Sequence, residues 1–274
     1  MKQLALALAA AAALPLLAQQ PPNLRGATIS AVRASGDLQR QIVSFDNPAE
    51  RVWVGYSVKM DRPRQIEICC GSWNCGACSL DGDSTTINVN TSSESLSDTV
   101  ALLYRVKNGA IATIRAFSNC SVNADGARIY WLEGVDPRAS VSMLDAIARS
   151  EAGVSKKALF ALSLHGGATD ALIDIAHHAS RSKTRSEALF WLAQTAADKA
   201  ANAIRDAIEN DPDEDVRGKA VFAVAQLPDD QSIPMLTELM RTHHSRNVRK
   251  KAAFWLGQKN DPRALAAIED FLRR

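Results

Sequence analysis

A six-residue pattern recurs four times in the second half of this chain of 274 residues. The copies occupy residues 157–162, 187–192, 219–224 and 251–256, and each has alanine in second place and phenylalanine in fourth place. Their alanines are 30, 32 and 32 residues apart. A nearly constant period of this length indicates a chain built from stacked structural repeats.

A second apolar stretch follows each copy after a polar turn, at residues 171–176, 203–208, 233–240 and 264–272. Each repeat is therefore predicted to be two helices joined by a turn. In the third repeat, apolar residues from Val216 to Leu227 follow helical spacing, and Val221 and Phe222 add apolar surface outside that stripe. Stacked units can bury such surface, so residues 136–274 are predicted to form an all-α solenoid of about four repeats.

The residues before the third and fourth copies carry a family resemblance. Asp215-Val216-Arg217 and Asn247-Val248-Arg249 lead into the pattern, and Asp261-Pro262 lies in the last turn. These features resemble HEAT repeats, and the Val-Arg and Asp-Pro pairs are typical of the short bacterial type called phycobilisome-lyase-like. The resemblance covers about residues 140–274. The first two repeats depart from it, with Val154-Ser155 and Thr184-Arg185 in place of Val-Arg.

The resemblance implies a limited set of functions. Most HEAT-repeat proteins are scaffolds that bind other proteins along a curved surface. The HEAT-like deoxyhypusine hydroxylases hold iron through His-Glu dipeptides, and this sequence contains no such dipeptide. The bilin-lyase role implies a phycobiliprotein partner inside the cell, which conflicts with the export that residues 1–18 predict. We therefore expect a protein partner, no cofactor, and a scaffold rather than an enzyme.

Residues 1–18 have the pattern of a secretory signal peptide. Met1-Lys2 supplies a positive charge, residues 4–18 are almost wholly Leu and Ala, and Gln19-Gln20-Pro21-Pro22 ends the run. The apolar run is shorter than the roughly twenty residues that span a bilayer. A retained membrane anchor is the alternative. We expect an exported protein, periplasmic or secreted, with no membrane span after cleavage.

Residues 19–135 have a β-like pattern, and the change at Asp136-Pro137 to a helix start marks the predicted domain boundary. Strands are predicted at 52–58, 100–106, 110–117 and 127–132, with a short helix near 37–44 and a loop from Gly71 to Glu94. Lys107-Asn108-Gly109 predicts a hairpin, because Asn and Gly tolerate positive φ. The predicted fold class is α+β with two domains: a β-rich, disulfide-bearing one and the HEAT-like solenoid.

All five cysteines precede residue 121. They are Cys69, Cys70, Cys75, Cys78 and Cys120. In an oxidising compartment they predict a disulfide framework with one cysteine left over, of unknown connectivity. Cys75-Gly76-Ala77-Cys78 also suggests thiol–disulfide exchange, although a turn-like sequence follows it in place of a helix. Zinc is a third alternative, disfavoured because adjacent cysteines of a strand point to opposite faces.

The charge balance argues against nucleic acid as a partner. The chain has 32 basic and 30 acidic residues, and residues 139–274 have 19 and 18. A nucleic-acid-binding protein would carry a marked basic excess.

The turns between repeats form an acidic section, then a basic one. The acids are Asp211, Asp213, Glu214 and Asp215, and the bases are Arg241, Arg246, Arg249, Lys250 and Lys251. They are either solvated turns with capped helices or an edge that contacts a partner. The candidate protein-binding residues are Trp191, Arg217, Arg246, Arg249, Lys250 and Trp255. The tryptophans either pack between repeats or anchor a partner on the concave face.

The histidine pairs are interpreted as neutral surface residues. His177-His178 and His243-His244 lie two repeats apart, on the order of 20 Å, so the two pairs cannot share an ion. His165-Gly166-Gly167 is interpreted as a turn.

These inferences favour an exported, non-catalytic scaffold that binds a protein in the envelope or outside the cell through its repeat surface. The alternative is an enzyme or enzyme-accessory protein that uses the cysteine cluster for thiol exchange. A third hypothesis is that the solenoid docks on the N-terminal domain and regulates it.

Overall fold

The architecture is described from a computed structural model. It covers residues 21–64, 66–69, 78–82, 86–89, 97–118, 121–150, 152–195 and 197–273. Within these residues, the N-terminal half contains strands and one short helix, and all the secondary structure from Pro137 onward is helical.

A five-stranded mixed sheet organises the N-terminal half. The strands of the described residues are β1 Leu24–Arg25, β2 Thr28–Arg33, β3 Val52–Arg64, β4 Ile66–Cys69, β5 Thr86–Val89, β6 Ser97–Lys107, β7 Ala110–Phe117, β8 Val122–Asn123 and β9 Arg128–Glu133. The sheet order is β2-β9-β3-β6-β7, and β1-β8 and β4-β5 form two small separate pairs. β2, β9 and β3 run parallel, whereas β3, β6 and β7 run antiparallel.

Both faces of this sheet are buried because side chains alternate along its strands. In β3, Val54 and Tyr56 face the core that the sheet shares with the helices, and Trp53 faces a second core. Leu24 and Val122, from the short pair β1-β8, close that second core.

Several sequence predictions for this half are confirmed. β3, β9 and the hairpin of β6 and β7 form where they were predicted, and Asn108 and Gly109 turn the hairpin with φ of 55° and 67°. The short helix α1 spans Leu38–Val43, and the Asp37 side chain caps it by accepting the N–H of Arg40.

The predicted loop from Gly71 to Glu94 is wrong at one place. Thr86–Val89 forms β5 and pairs antiparallel with β4. Ile87 and Val89 alternate with polar residues, which is a strand pattern hidden within a stretch otherwise rich in Ser, Gly and Asp.

The helical half consists of paired helices, as predicted. The helices are α2 Pro137–Arg149, α3 Ser155–Leu164, α4 Thr169–His178, α5 Ser182–Thr195, α6 Ala197–Asn210, α7 Glu214–Gln226, α8 Asp229–Thr242, α9 Arg246–Gly257 and α10 Pro262–Leu272. The Asp136 side chain caps α2, and the four copies of the six-residue pattern lie in α3, α5, α7 and α9.

These helices form two rows. One row is α3, α5, α7 and α9, whose members pack extensively side by side. The other row is α2, α4, α6, α8 and α10, whose members make fewer contacts with one another. We call α3, α5, α7 and α9 the inner helices and the other row the outer helices.

The helical half lies directly against the sheet. The Tyr56 hydroxyl on β3 hydrogen-bonds the Ser140 hydroxyl of α2 at 2.8 Å, and the backbone N–H of Gly166 donates to the carbonyl of Lys59 at 2.6 Å. Buried residues of sheet and helices belong to one continuous cluster. The sheet therefore covers the first end of the helical stack. Among the described residues, no helix is long and apolar enough to cross a membrane.

Candidate functional site

Three of the inner helices each have an arginine near their start that hydrogen-bonds the preceding turn. Arg185, Arg217 and Arg249 each donate from Nη1 to the carbonyl oxygen of the residue six positions earlier, at 2.8, 2.6 and 2.7 Å. The carbonyls belong to Ala179, Asp211 and His243. The guanidinium groups of Arg217 and Arg249, two predicted partner contacts, are thus bound to their own turns.

Two of the four acids in the predicted acidic section stabilise the fold. The Asp211 carboxylate is buried in a two-bond ion pair with Arg185, at 2.7 and 2.9 Å. Asp213 caps α7, and the N–H of Asp215 lowers the pKa of Asp213. Glu214 and Asp215 remain exposed in the first turn of α7. For Asp211 and Asp213, the helix-capping interpretation of these turns fits the structure.

The outer helices neutralise their charges across repeats. Ion pairs link neighbouring outer helices all along the row: Arg149–Asp174 at 2.5 Å, Lys199–Asp170 at 3.2 Å, Arg205–Glu238 at 3.0 Å and Arg241–Asp270 at 2.6 Å. Neighbouring outer helices are therefore joined by ion pairs wherever these residues meet.

The inner row instead presents a continuous ladder of aromatic rings. Its six members are Phe160, Phe190, Trp191, Phe222, Phe254 and Trp255. Centroid distances between consecutive rings, from α3 through α9, are 5.1, 5.0, 6.1, 4.7 and 5.0 Å. These separations are those of interacting aromatic pairs. Phe254 is 58% exposed, and the other five rings are half-buried. We call this set the aromatic ladder.

The repeat pattern explains why the phenylalanines of the ladder are not fully buried. The phenylalanine follows a charged residue by three positions, as Phe222 follows Lys219, so both lie on one side of the helix. The alanines and aliphatic residues of the same pattern face the other helices and are buried, as Ala220 and Val224 are. Trp191 and Trp255 were predicted from the sequence to pack between repeats or contact a partner, whereas exposed Phe254 was not among the predicted contacts.

Unpaired cations border the aromatic ladder. Lys156, Lys183, Lys219 and Lys250 are exposed on α3, α5, α7 and α9. None of them forms an ion pair within the part of the chain that the structure describes. Of the other predicted contacts, Arg246 is also exposed at the start of α9.

Glutamines follow the ladder on its other side. Gln194, Gln226 and Gln258 each lie four residues after a ladder phenylalanine, one helical turn further on. The Gln194 Nε2 donates to the Gln226 Oε1 at 3.3 Å, which joins α5 to α7. The inner row thus presents rings between a basic border and an amide border.

A group of three residues, on α6 and in the turn after α8, could reach a metal ion. Ligand atoms of Glu209, His243 and His244 lie within 4.8 Å of one another. His243 is only 5% exposed, so the prediction that it lies on the surface is wrong, and burial lowers its pKa. His244 is exposed, as predicted.

The hydrogen bonds of His243 argue against a metal there. Its Nδ1 accepts the N–H of Ser245 at 3.0 Å, so the neutral ring carries its proton on Nε2. That Nε2 lies 3.5 Å from the Glu209 carboxylate. A metal bound at Nε2 would have to replace this proton, and we assign no metal here.

A pocket of about 400 Å³ lies between α2 and α4 beside Gly166 and Gly167. Its two acids, Asp145 and Asp174, both bond Arg149. His178 lowers the pKa of Asp174 through a hydrogen bond of 2.9 Å. The described residues of its lining include no histidine, cysteine or lysine. We assign no chemistry to this pocket.

The predicted disulfide framework lies largely outside the described residues. Cys78 is buried in the second core beside Leu80, Cys69 lies at the end of β4, and Cys70, Cys75 and Cys120 lie outside the described residues. The disulfide framework and its zinc and thiol-exchange alternatives stay predictions.

Comparison with known families agrees with this geometry. A family model described as HEAT repeats matches residues 169–244 and 201–274. The C-terminal half therefore contains HEAT repeats, which commonly mediate protein–protein interaction. None of the curated proteins compared with the chain matches it.

Proposed function

We propose that this protein is an exported, non-catalytic scaffold that binds a partner protein on the inner face of its helical repeats. The aromatic ladder carries this proposal. Single exposed apolar residues are ordinary on protein surfaces, but a contiguous apolar patch marks an interaction site. Trp is moreover enriched among the residues that dominate binding energy.

The contrast between the two rows supports this choice of face. The outer helices pair their charges with each other, so a partner there would have to break existing ion pairs. The inner helices expose rings and lysines that make no such pairs among the described residues. Binding on the inner row would therefore bury apolar surface without that loss.

Site-specific photo-crosslinking tests which row of helices contacts the partner protein. A photoreactive residue replaces Phe254 on the inner row in one variant and Leu265 on the outer helix α10 in the other. The two residues are 58% and 60% exposed, which makes them a matched pair. We expect a discrete crosslinked protein from position 254 and none from 265. Crosslinking from 265 alone, or equally from both, would refute the inner-face assignment.

Export is the second part of the proposal, and it rests on residues 1–18. N-terminal sequencing of the protein from cell fractions tests it. A chain beginning after Ala18, found in the periplasm or medium, supports export. A chain that keeps residues 1–18 and sediments with membranes would support the retained anchor instead.

We also propose that the cysteines form structural disulfides, as suits an exported protein. Alkylation of the unreduced protein followed by intact mass measurement should find one reactive thiol. Disulfides that open under mild reduction would favour thiol exchange, and bound zinc would favour a metal site.

Within the HEAT repeats, we assign this chain to the short bacterial, phycobilisome-lyase-like type. The Val-Arg pairs at residues 216–217 and 248–249 and the Asp-Pro pair at 261–262 support the assignment. It concerns the form of the repeat alone, and the bilin-lyase role is not carried over.

A further inference from the structure

We propose that the partner segment held by the aromatic ladder is an acidic, proline-rich stretch in the polyproline II conformation. This inference rests on the proposed function, because it names the chemistry of the partner that binds the inner row. Three features of the inner row support it: the spacing of its helices, the rings and amides it exposes, and the sign of its bordering charge.

The separation of neighbouring inner helices matches one turn of a polyproline II helix. Neighbouring packed helices lie about 8–10 Å apart, so the ladder advances by that distance per repeat. A polyproline II helix advances about 9.3 Å in three residues, which is one full turn. Every third residue of such a segment therefore meets the ladder on the same side. A β-strand matches poorly, because its side chains alternate every second residue and three residues reverse the side.

The chemistry of the ladder fits the same segment. Grooves lined by aromatic residues bind proline-rich segments in this conformation, which is already formed before binding. The backbone of polyproline II makes no internal hydrogen bonds, so its carbonyls remain acceptors. Gln194, Gln226 and Gln258 place amide donors along the ladder at one position in each of three repeats.

The border determines the charge of the segment. Lys156, Lys219 and Lys250 are exposed about one turn before a ladder phenylalanine, and Lys183 is exposed two turns before Phe190. The acids of the four inner helices are Glu187, Glu214 and Asp215, against ten lysines and arginines, so positive charge is in excess. Opposite charge steers association and selects the partner.

A small pocket at the N-terminal ends of α3 and α5 adds to the positive charge of the inner row. It has a volume of about 140 Å³ and lies between α3 and α5. Lys156, Arg181 and Lys183 line it together with one acid, Glu187. A pocket of this size with three cations accommodates a carboxylate of the bound segment.

The test uses fluorescent peptides and the full-length protein. The probe is a Pro-Pro-Glu repeat of ~12 residues, long enough to cross four helices. One control is a Pro-Pro-Lys repeat, which keeps the conformation and reverses the charge. The other is a Gly-Ser-Glu repeat, which keeps the charge and loses the conformation. An acidic amphipathic helical peptide represents a different occupant.

We expect fluorescence anisotropy to show binding of the Pro-Pro-Glu peptide at least about tenfold tighter than each other peptide. Phe254→Ala, at a ring that is 58% exposed, should weaken it about tenfold while leaving the thermal melt unchanged. Lys219→Glu should weaken binding of the Pro-Pro-Glu peptide more at low salt than at high salt. Leu265→Ala on the outer row is the control and should have no effect.

Each other outcome overturns part of the inference. Equal binding of Pro-Pro-Lys refutes the charge argument, and equal binding of Gly-Ser-Glu refutes the conformation. Tighter binding of the helical peptide would mean that the inner row binds a helix and not a polyproline II segment. If no peptide binds but a partner still crosslinks from position 254, the inference fails while the proposed function stands. If neither occurs, both fail.

Discussion

The ion pair between Arg185 and Asp211 joins the second repeat to the turn before the third. Arg185 donates to both carboxylate oxygens of Asp211, at 2.7 and 2.9 Å, and to the carbonyl of Ala179. The two side chains are only 8% and 3% exposed. Replacing Arg185 with Met would leave the Asp211 carboxylate buried without its counter-ion.

Breaking a buried pair from one side costs about 3–5 kcal/mol. For a domain of this size, that corresponds to a fall of roughly 6–20 °C in melting temperature, at about 2–4 °C per kcal/mol. Asp211→Asn in the same chain removes the stranded charge and keeps an acceptor for the N–H of Asp213, which Asp211 binds at 2.9 Å. The double variant should therefore be more stable than Arg185→Met alone.

Urea denaturation followed by circular dichroism measures these differences. The matched control is Lys199→Met, which breaks an ion pair of 3.2 Å whose side chains are 66% and 84% exposed. An exposed pair contributes less than about 1 kcal/mol. Equal losses for Arg185→Met and Lys199→Met, or a double variant less stable than Arg185→Met, would refute the reasoning.

Three further predictions concern other packed positions. Burial lowers the pKa of His243, so its neutral form contributes stability above pH 6.5 that is lost as the pH falls below that value. His243→Asn should therefore flatten the pH dependence of the free energy of unfolding between pH 7 and 5. An unchanged slope would contradict this. Burial raises the pKa of Tyr56 to about 12, so the stability contributed by its neutral hydroxyl should persist to pH 10 and disappear toward 12; Tyr56→Phe should remove that loss in alkaline melts. A Cβ at Gly55 would lie 3.0 Å from carbons of Leu103 and Trp131, so Gly55→Ala should cost about 1–3 kcal/mol in urea unfolding, and a neutral effect would mean that Trp131 yields freely.

Short-range patterns predicted much of the fold. The hairpin at Asn108-Gly109 and the helix starts at Asp37 and Asp136 depend on residues within one turn of each other. The solenoid followed from a period that can be counted along the chain. These features need no knowledge of distant neighbours, because turn, capping and periodicity preferences act locally.

Prediction was weaker where a residue's role depends on what packs against it. Arg217 and Arg249 look like surface contacts in the sequence, but each binds the carbonyl of its own turn. His243 looks exposed, but its ring lies buried beside Glu209 on α6. In both cases the partner lies on another turn or helix, and a helical period alone does not say which side each neighbour covers.

The aromatic ladder shows the same division. The sequence by itself determined that a phenylalanine would recur in each repeat, three residues after a charged one. The tertiary structure decided that these rings and the two tryptophans line up on the inner row and remain partly exposed. The physical reason is that a side chain's burial depends on which neighbouring helices cover it, and the stacking of successive repeats sets that cover.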